Sequence, residues 1–186
     1  MFNKSIRLTA ILAIAAGAAL YSTVAFANPD VGGAAMFEEK NIIQNAVNSK
    51  DHTTLVAAVK AAGLVETLSG PGPFTVFAPV NAGFDMLPDG TVATLLKPEN
   101  KATLTKILTS HVVAGKLSAA MLMAKAKANG GRYNMQAVSG DALTAVIKGK
   151  NLFIFDESGG ASKITIADVN QSNGVIHVVN HVLLPK

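Results

Sequence analysis

Two histidines near the carboxyl end of the chain have the spacing of a metal-binding motif. His177 and His181 are four positions apart, and on a helix this spacing places two ring nitrogens on one zinc ion. The surrounding residues instead predict an extended strand, in which about 3.3 Å per residue separates the two by roughly 13 Å. Two ligands of one zinc must be far closer, since each nitrogen lies about 2.0 Å from the metal. We therefore expect no metal here, with His177 hydrogen-bonded in the core and His181 nearer the surface.

Residues 168–174 (Asp-Val-Asn-Gln-Ser-Asn-Gly) show a weaker likeness to a calcium-binding loop. Their glycine comes one place late, and Val179 stands at the twelfth position, where a bidentate glutamate is required. The better interpretation is a turn in which Asn and Ser side chains bond to the local backbone.

Candidate catalytic groups are sparse. Ser110 and His111 are neighbours, and neighbours on a helix do not face each other. We find no Gly-x-Ser-x-Gly nucleophile elbow and no carboxylate pair with an evident role. The chain has no cysteine, which excludes a thiolate nucleophile, a lipid-modified amino-terminal Cys and Cys-based zinc sites. The sequence therefore predicts a protein that is not an enzyme and carries no metal or other cofactor.

Residues 1–27 have the three parts of a secretory signal peptide. Lys4 and Arg7 form a positive start, residues 8–24 form a mostly apolar run, and residues 25–27 (Ala-Phe-Ala) fit a cleavage site. A retained transmembrane anchor is the alternative, but the strongly apolar run is shorter than the about 20 residues a span needs. We expect a secreted or periplasmic protein that begins at Asn28 and has no membrane span after cleavage.

The exported chain is only mildly basic. The whole chain has 16 basic and 12 acidic residues, a formal net charge of +4. Removal of the signal peptide takes away two basic residues, which leaves 14 basic residues and a formal net charge of +2. No basic cluster with interleaved aromatics is found, so we expect no nucleic-acid partner. Residues 28–38 mix turn formers and small residues and predict a flexible leader, and residues 39–186 are long enough for one domain.

The stretch of residues 74–84 (Phe-Thr-Val-Phe-Ala-Pro-Val-Asn-Ala-Gly-Phe) is the element around which the rest of the chain is organised. Its alternation leaves both faces of a strand largely apolar, which predicts a strand in the interior. Pro79 cannot donate a ladder hydrogen bond and should end the strand. Asn81 is then expected to cap a short helix.

Helical and extended patterns separate along the chain. Helices are predicted over residues 41–47, from Thr53 or Thr54 to a stop at Gly63, over 64–68 and 91–96, from Pro98 onward, and over 119–125 after a Ser118 cap. Strands are predicted over residues 135–138, 143–147, 152–155, 163–167 and 175–184. Helices first and strands later predict an α+β domain.

Two segments closely resemble the signature boxes of the fasciclin (FAS1) domain family. Residues 75–84 resemble the first box, residues 173–185 (Asn-Gly-Val-Ile-His-Val-Val-Asn-His-Val-Leu-Leu-Pro) resemble the second, and residues 104–115 resemble the central segment between them. The signature positions are Thr75, Phe77, Pro79, Asn81, Phe84, Gly174, His177 and Asn180. The resemblance implies the FAS1 fold, a wedge-like β-sandwich of about seven strands with several packed helices.

The resemblance also implies a function by binding. FAS1 domains are usually assigned to cell adhesion, so the implied partner is a cell-surface or extracellular-matrix macromolecule, or a second copy of the chain. Ser110 and His111 align with a Tyr-His pair linked in animal members to receptor binding, and are the candidate binding residues. Ser110 departs from the tyrosine, Val80 from a threonine and Asn180 from an aspartate. With no Arg-Gly-Asp either, integrin-type adhesion is not implied.

A second functional hypothesis is a carrier of a small apolar ligand such as a carotenoid, a role that some FAS1 relatives have. Flexible methionines can line an apolar pocket, and Met121, Met123 and Met135 are the candidates. Filling of the core is the alternative role for these three side chains.

Overall fold

The computed structural model describes residues 28–186, and the predicted signal peptide lies outside them. Short 3-10 turns at Lys50–His52 and Pro98–Asn100 precede two of the longer helices. Within the described part of the chain, no helix is both long and apolar enough to cross a membrane. The helices there are α1 (Ile42–Ala46), α2 (Thr53–Ala62), α3 (Val65–Ser69), α4 (Asn81–Asp85), α5 (Thr91–Leu95), α6 (Lys101–Ser110) and α7 (Ala119–Ala128).

The strands in residues 28–186 form one seven-stranded sheet with the order β2-β1-β7-β6-β5-β4-β3. They are β1 (Phe74–Pro79), β2 (Val112–Ala114), β3 (Arg132–Gln136), β4 (Ala142–Lys148), β5 (Asn151–Phe155), β6 (Ala161–Gln171) and β7 (Gly174–Val179). An isolated bridge between Val113 and Ala137 joins edge strand β2 to the residue after β3, so the sheet is nearly closed. The predicted α+β class, with about seven strands and packed helices, is confirmed.

The two signature boxes lie side by side at the centre of this sheet. β1 and β7 pair in parallel, from Phe74 opposite Gly174 to Pro79 opposite Val179. The strands approach so closely at their start that a Cβ on Gly174 would lie 2.1 Å from the carbonyl oxygen of Phe74. Only glycine fits there, which explains its place in the second box.

Two hydrophobic clusters lie on opposite faces of β1 and β7. Val76 and Val178 face the helices and share one cluster with α1, α2 and α6. Phe77 and Val179 face the other way and pack against β3–β5 and α7. β6 contacts both clusters. Register shifts between Ile164 and Val169 allow the strand to bend from one cluster to the other. This alternation is the period-2 pattern expected of a strand buried on both faces.

Several boundaries differ from the sequence prediction. β2 was not predicted as a strand, because its three residues follow α6 with no turn signal between them. The closing strand ends at Val179 and not at Leu184, since Asn180 turns its side chain to β6. Helix α7 continues to Ala128, three residues beyond the predicted end.

The amino-terminal segment, residues 28–38, is packed and not the flexible leader we expected. Val31 and Met36 are buried in the helix-side cluster. The Asn28 side chain donates to the carbonyl of Asn170 at 2.7 Å and accepts from its N–H at 2.9 Å. Its small and turn-forming residues did not reveal this packing, because the recess they fill is built by distant parts of the chain.

Asn81 has a different role from the predicted cap of its own helix. Val80 is the N-cap of α4, and the Asn81 side-chain oxygen instead accepts the backbone N–H of Thr54 at 3.0 Å. Its amide donates to the carbonyl of Lys50 at 2.8 Å. The side chain therefore satisfies a free N–H in the first turn of α2, and this ties the first box to the helical layer.

Candidate functional site

His177 lies on β7 with no exposed surface, and both of its ring nitrogens are used by the backbone. Nε2 donates to the carbonyl of Leu117 at 2.8 Å, and Nδ1 accepts the N–H of Asp168 at 3.2 Å. The ring stacks on Phe77 with centroids 5.7 Å apart. Burial lowers the pKa of His177, which outweighs the opposing effects of the Leu117 carbonyl and the Asp168 carboxylate. His177 is thus a neutral residue that joins three segments of the fold.

The geometry does not allow His177 and His181 to bind one metal ion together. His177 has no free nitrogen, and His181 is held by its backbone, whose N–H and carbonyl both bond to the Ser162 hydroxyl at 2.9 Å. Within residues 28–186, no group of three or more His, Asp or Glu side chains could hold a metal ion. The expected positions, His177 in the core and His181 partly exposed, agree with the structure.

Ser110 and His111 occupy the end of α6 and are both buried. The Ser110 hydroxyl donates to the carbonyl of Ile107 at 2.6 Å. His111 donates through Nδ1 to the same carbonyl at 2.7 Å and accepts the N–H of Leu183 through Nε2 at 2.8 Å. Burial lowers the pKa of His111 to about 4. The binding role predicted for the pair stays a prediction, and both side chains are almost wholly removed from the outer surface.

The segment that resembled a calcium loop bonds through Asp168 and Asn173 to distant backbone groups, and not to the local backbone as we expected. Asp168 adopts a positive φ of 58° and accepts the N–H of Ala119, the first residue of α7, at 2.8 Å. Asn173 accepts the N–H of Ile42 at 3.0 Å and donates to the carbonyls of Leu68 and Gly70. These oxygens serve helix ends and loops and do not converge on one point.

The remaining signature residues also act within the fold. The Thr75 hydroxyl donates to the carbonyl of Gly115 at 2.6 Å and accepts the N–H of Leu117 at 2.9 Å. Asn180 accepts the N–H of Lys163 through its side-chain oxygen at 2.7 Å. This contact does not require the charge of the aspartate that is usual at this position of the second box. Phe84 is buried in the helix-side cluster. The two boxes are therefore a framework for the fold.

The sequence analysis missed three buried polar residues that hold the helical layer. Asn173 joins α1 to the loop after α3, as described above. Asn45 exchanges hydrogen bonds with the backbone of Phe37. His52, which is 3% exposed, bonds through Nδ1 to the Ser49 hydroxyl at 2.8 Å. The available signal was a polar residue within a short helical segment for Asn45 and His52, and membership of the second signature box for Asn173.

An apolar cavity lies on the helix side of the sheet, and the methionines predicted to line such a cavity take no part in it. A cavity of about 40 Å³ lies among α1, α2, α3, β1 and α6, and His111 forms part of its wall. None of Met121, Met123 and Met135 lines it. Met121 is 45% exposed and Met135 is buried in the other cluster, so the proposed methionine-lined pocket is wrong.

The fold and these residues define a class: an α+β domain whose two signature segments pair in parallel at the centre of one sheet. The model of the fasciclin domain family matches residues 50–185. The chain belongs to the fasciclin (FAS1) domain family, whose members are generally non-enzymatic and often related to adhesion.

Individual relatives agree with this assignment. Protein sll1483 of Synechocystis is 46% identical over 157 residues, which cover 83% of this chain and 79% of that protein. Immunogenic protein MPB70 of Mycobacterium bovis is 33% identical over 145 residues, which cover 75% of this chain and 66% of that protein. The structure of a FAS1 domain pair from the insect cell adhesion molecule fasciclin I matches with a TM-score of 0.69 at 16% identity, over 78% of this chain and 51% of that one.

Proposed function

We propose that the protein is an exported, non-enzymatic adhesion module that binds a cell-surface or matrix macromolecule through its outer surface. The family is often related to adhesion, and the fold neighbour is a cell adhesion molecule. Export is supported by the pattern of residues 1–27.

The observation that carries this proposal is the internal use of the residues that could do chemistry. His111 and His177 each give both ring nitrogens to backbone groups, and Ser110 donates to a backbone carbonyl. These side chains hold segments together, which leaves contact with other molecules to the exterior.

Saturable binding to cells tests the proposal. The full chain is produced with its own amino-terminal segment, purified after export, labelled and titrated onto intact cells of the organism that makes it. Saturable binding that unlabelled protein displaces is the expected result. Protein unfolded by heat is the control for non-specific adsorption. Binding that never saturates, or no binding, contradicts the proposal.

The compartment has its own test. Mass spectrometry of the exported protein should give a chain that starts at Asn28, found in the medium or the periplasm. A chain that keeps residues 1–27 and sediments with membranes would support the retained anchor instead.

The carrier of a small apolar ligand is the second candidate, now favoured by the cavity and not by the methionines. The cavity opens partly to the outside, and its lining is almost wholly apolar. Ligand pockets measure about 300–1,000 Å³, so a cavity of about 40 Å³ has to widen before it can hold a polyene. Visible absorbance that co-purifies with the protein, or appears after mixing with a carotenoid, supports this role. Colourless protein in both cases excludes it.

A further inference from the structure

The outer face of the β3–β6 half of the sheet gathers cations and aromatic rings that are scattered in the sequence. One register row runs from Arg132 on β3 through Val146 on β4 and Phe153 on β5 to Lys163 on β6. Neighbouring strands are about 4.8 Å apart, so the row spans about 14 Å between the two basic residues. The inward-facing residues of the same strands are buried or partly buried in the cluster that contains Phe77, and the row itself is partly exposed.

Phe155 continues the apolar centre of this face. It is two residues beyond Phe153 on β5, so both rings lie on the outer side. The ammonium of Lys148 stands 4.7 Å from the ring centroid of Phe155 and 5.5 Å from that of Phe153. This cation–π arrangement holds a positive charge directly over an apolar surface.

A polar cleft adjoins the Arg132 end of the face. It is open, measures about 440 Å³, and is lined by Asn129, Arg132, Tyr133, Asn134 and Thr144. Asn134 and Thr144 face the same side as the row, and the Thr144 hydroxyl donates to the Asn134 amide oxygen at 3.0 Å. The cleft therefore offers amide and hydroxyl groups next to a guanidinium.

Most acidic side chains of this half of the sheet lie at the other end of the strands, and Asp168 of β6 accepts a hydrogen bond from the first residue of α7. Asp156 accepts from Gly160 and Leu184, and Glu157 accepts the N–H of Ala142. Asp141 pairs with Lys106 at 3.6 Å, and in residues 28–186 no carboxylate lies within ion-pair distance of Arg132, Lys148 or Lys163. One end of the face is therefore positively charged, and no carboxylate among residues 28–186 forms an ion pair with its cations.

We propose that this face, defined by Arg132, Lys148, Phe153, Phe155 and Lys163, binds an acidic polysaccharide built from uronic acid residues. A hexuronate carries its carboxylate directly on a ring whose C–H bonds form an apolar face. One sugar can therefore place its charge near Lys148 or Arg132 and its ring on the phenylalanines. The hydroxyls of the next sugar meet the polar cleft. This inference rests on the proposed adhesion function and names its partner class.

Two other polyanions fit the face less well. Nucleic acid separates its phosphate from its base by a sugar, so the charge and the flat ring of one nucleotide lie further apart than the Lys148 ammonium and the two phenylalanine rings. A membrane surface would need apolar side chains that can insert, whereas Phe153 and Phe155 are partly buried in the sheet surface.

Binding to polygalacturonate tests the inference, measured by calorimetry with the exported full chain. Fully methyl-esterified polygalacturonate keeps the sugar backbone and removes the charge, and should bind far more weakly. The double variant R132Q/K148Q should bind polygalacturonate about tenfold more weakly, since two exposed charge contacts with the polymer are lost. The variant F153L keeps apolar bulk, removes the flat ring, and should also weaken binding.

The matched control is K97Q/K101Q, which removes the same charge from the helical side. It should leave the affinity unchanged, and the unfolding midpoints of all variants report intact folding. Equal affinity for esterified and free polymer, or equal loss in the two double variants, overturns the inference. Tighter binding to single-stranded DNA or anionic vesicles, lost in R132Q/K148Q, would assign the face to those partners instead.

The two proposals can fail separately. If labelled R132Q/K148Q still binds host cells like the wild type, the adhesion function stands and the polysaccharide site is rejected. If the wild type itself shows no saturable binding to cells, the adhesion function is rejected.

Discussion

Three of the four histidines, His52, His111 and His177, are buried at 3% exposure or less. Burial lowers the pKa of each, because a charged imidazole loses more hydration than nearby carbonyls and carboxylates return. His111 and His177 are hydrogen-bonded as neutral rings with one donor and one acceptor nitrogen. They join segments far apart in sequence and work only while uncharged.

Lowering the pH should therefore reduce the free energy of unfolding at pH values well above those at which carboxylates titrate. His111 has an ordinary pKa of 6.5 when unfolded and about 4 when folded, so below pH 6.5 the unfolded chain takes up the proton first. The contribution of His111 to the free energy of unfolding is fully present above pH 6.5. It is lost progressively towards pH 4, by about 3 kcal/mol. Urea unfolding between pH 7.5 and pH 5 measures the loss.

The variant H111Q is the control, because glutamine does not titrate and can still donate and accept. Its free energy of unfolding should depend less on pH than that of the wild type. A wild-type free energy of unfolding that stays constant between pH 6.5 and pH 5 would contradict the assignment of neutral buried histidines.

At the scale of elements, the parallel pair of β1 and β7 determines how the rest of the chain packs. The sequence predicted both strands, since each alternates apolar residues on two faces. It could not predict that they are neighbours in one sheet, because pairing depends on contacts a hundred positions apart. The structure shows the reason at Gly174, where the strand backbones approach too closely for any side chain.

Replacement of Gly174 by alanine should damage this pair directly. The new Cβ would lie 2.1 Å from the Phe74 carbonyl oxygen, so the strands must separate. We expect a loss of about 3 kcal/mol, the upper range for overpacking, and a midpoint lower by about 6–12 °C. Thermal unfolding measures it. The control G70A places its Cβ 3.3 Å from the Thr67 carbonyl, a contact that a small shift relieves, and should unfold near the wild-type temperature.

The packed amino-terminal segment makes a second prediction at this scale. Met36 is 6% exposed and Met86 is 62% exposed. Met36→Ala should lower the free energy of unfolding by about 3 kcal/mol, whereas Met86→Ala should change it by less than about 0.5 kcal/mol. Equal stabilities in chemical denaturation would mean that residues 28–38 are a flexible leader after all.

Across the whole molecule, the buried polar side chains hold the fold together, and our proposal assigns contact with other molecules to the surface. The sequence predicted the fold class and the signature residues, because local alternation and the two boxes carry that information. It did not reveal the outer face with Arg132, Lys148 and Phe153. These residues come from three strands and become neighbours only through the register of the sheet. Ser110 and His111 were the residues named for binding, and the fold places both inside.

The most direct test of the adhesion account is attachment of cells that lack the protein. Under shear flow, such cells should detach from a surface more readily than the parent strain, and purified protein added from outside should restore attachment. Restoration from outside is expected because the account assigns contact to the exterior of an exported, folded domain. Attachment equal to that of the parent strain, with no effect of added protein, would contradict it.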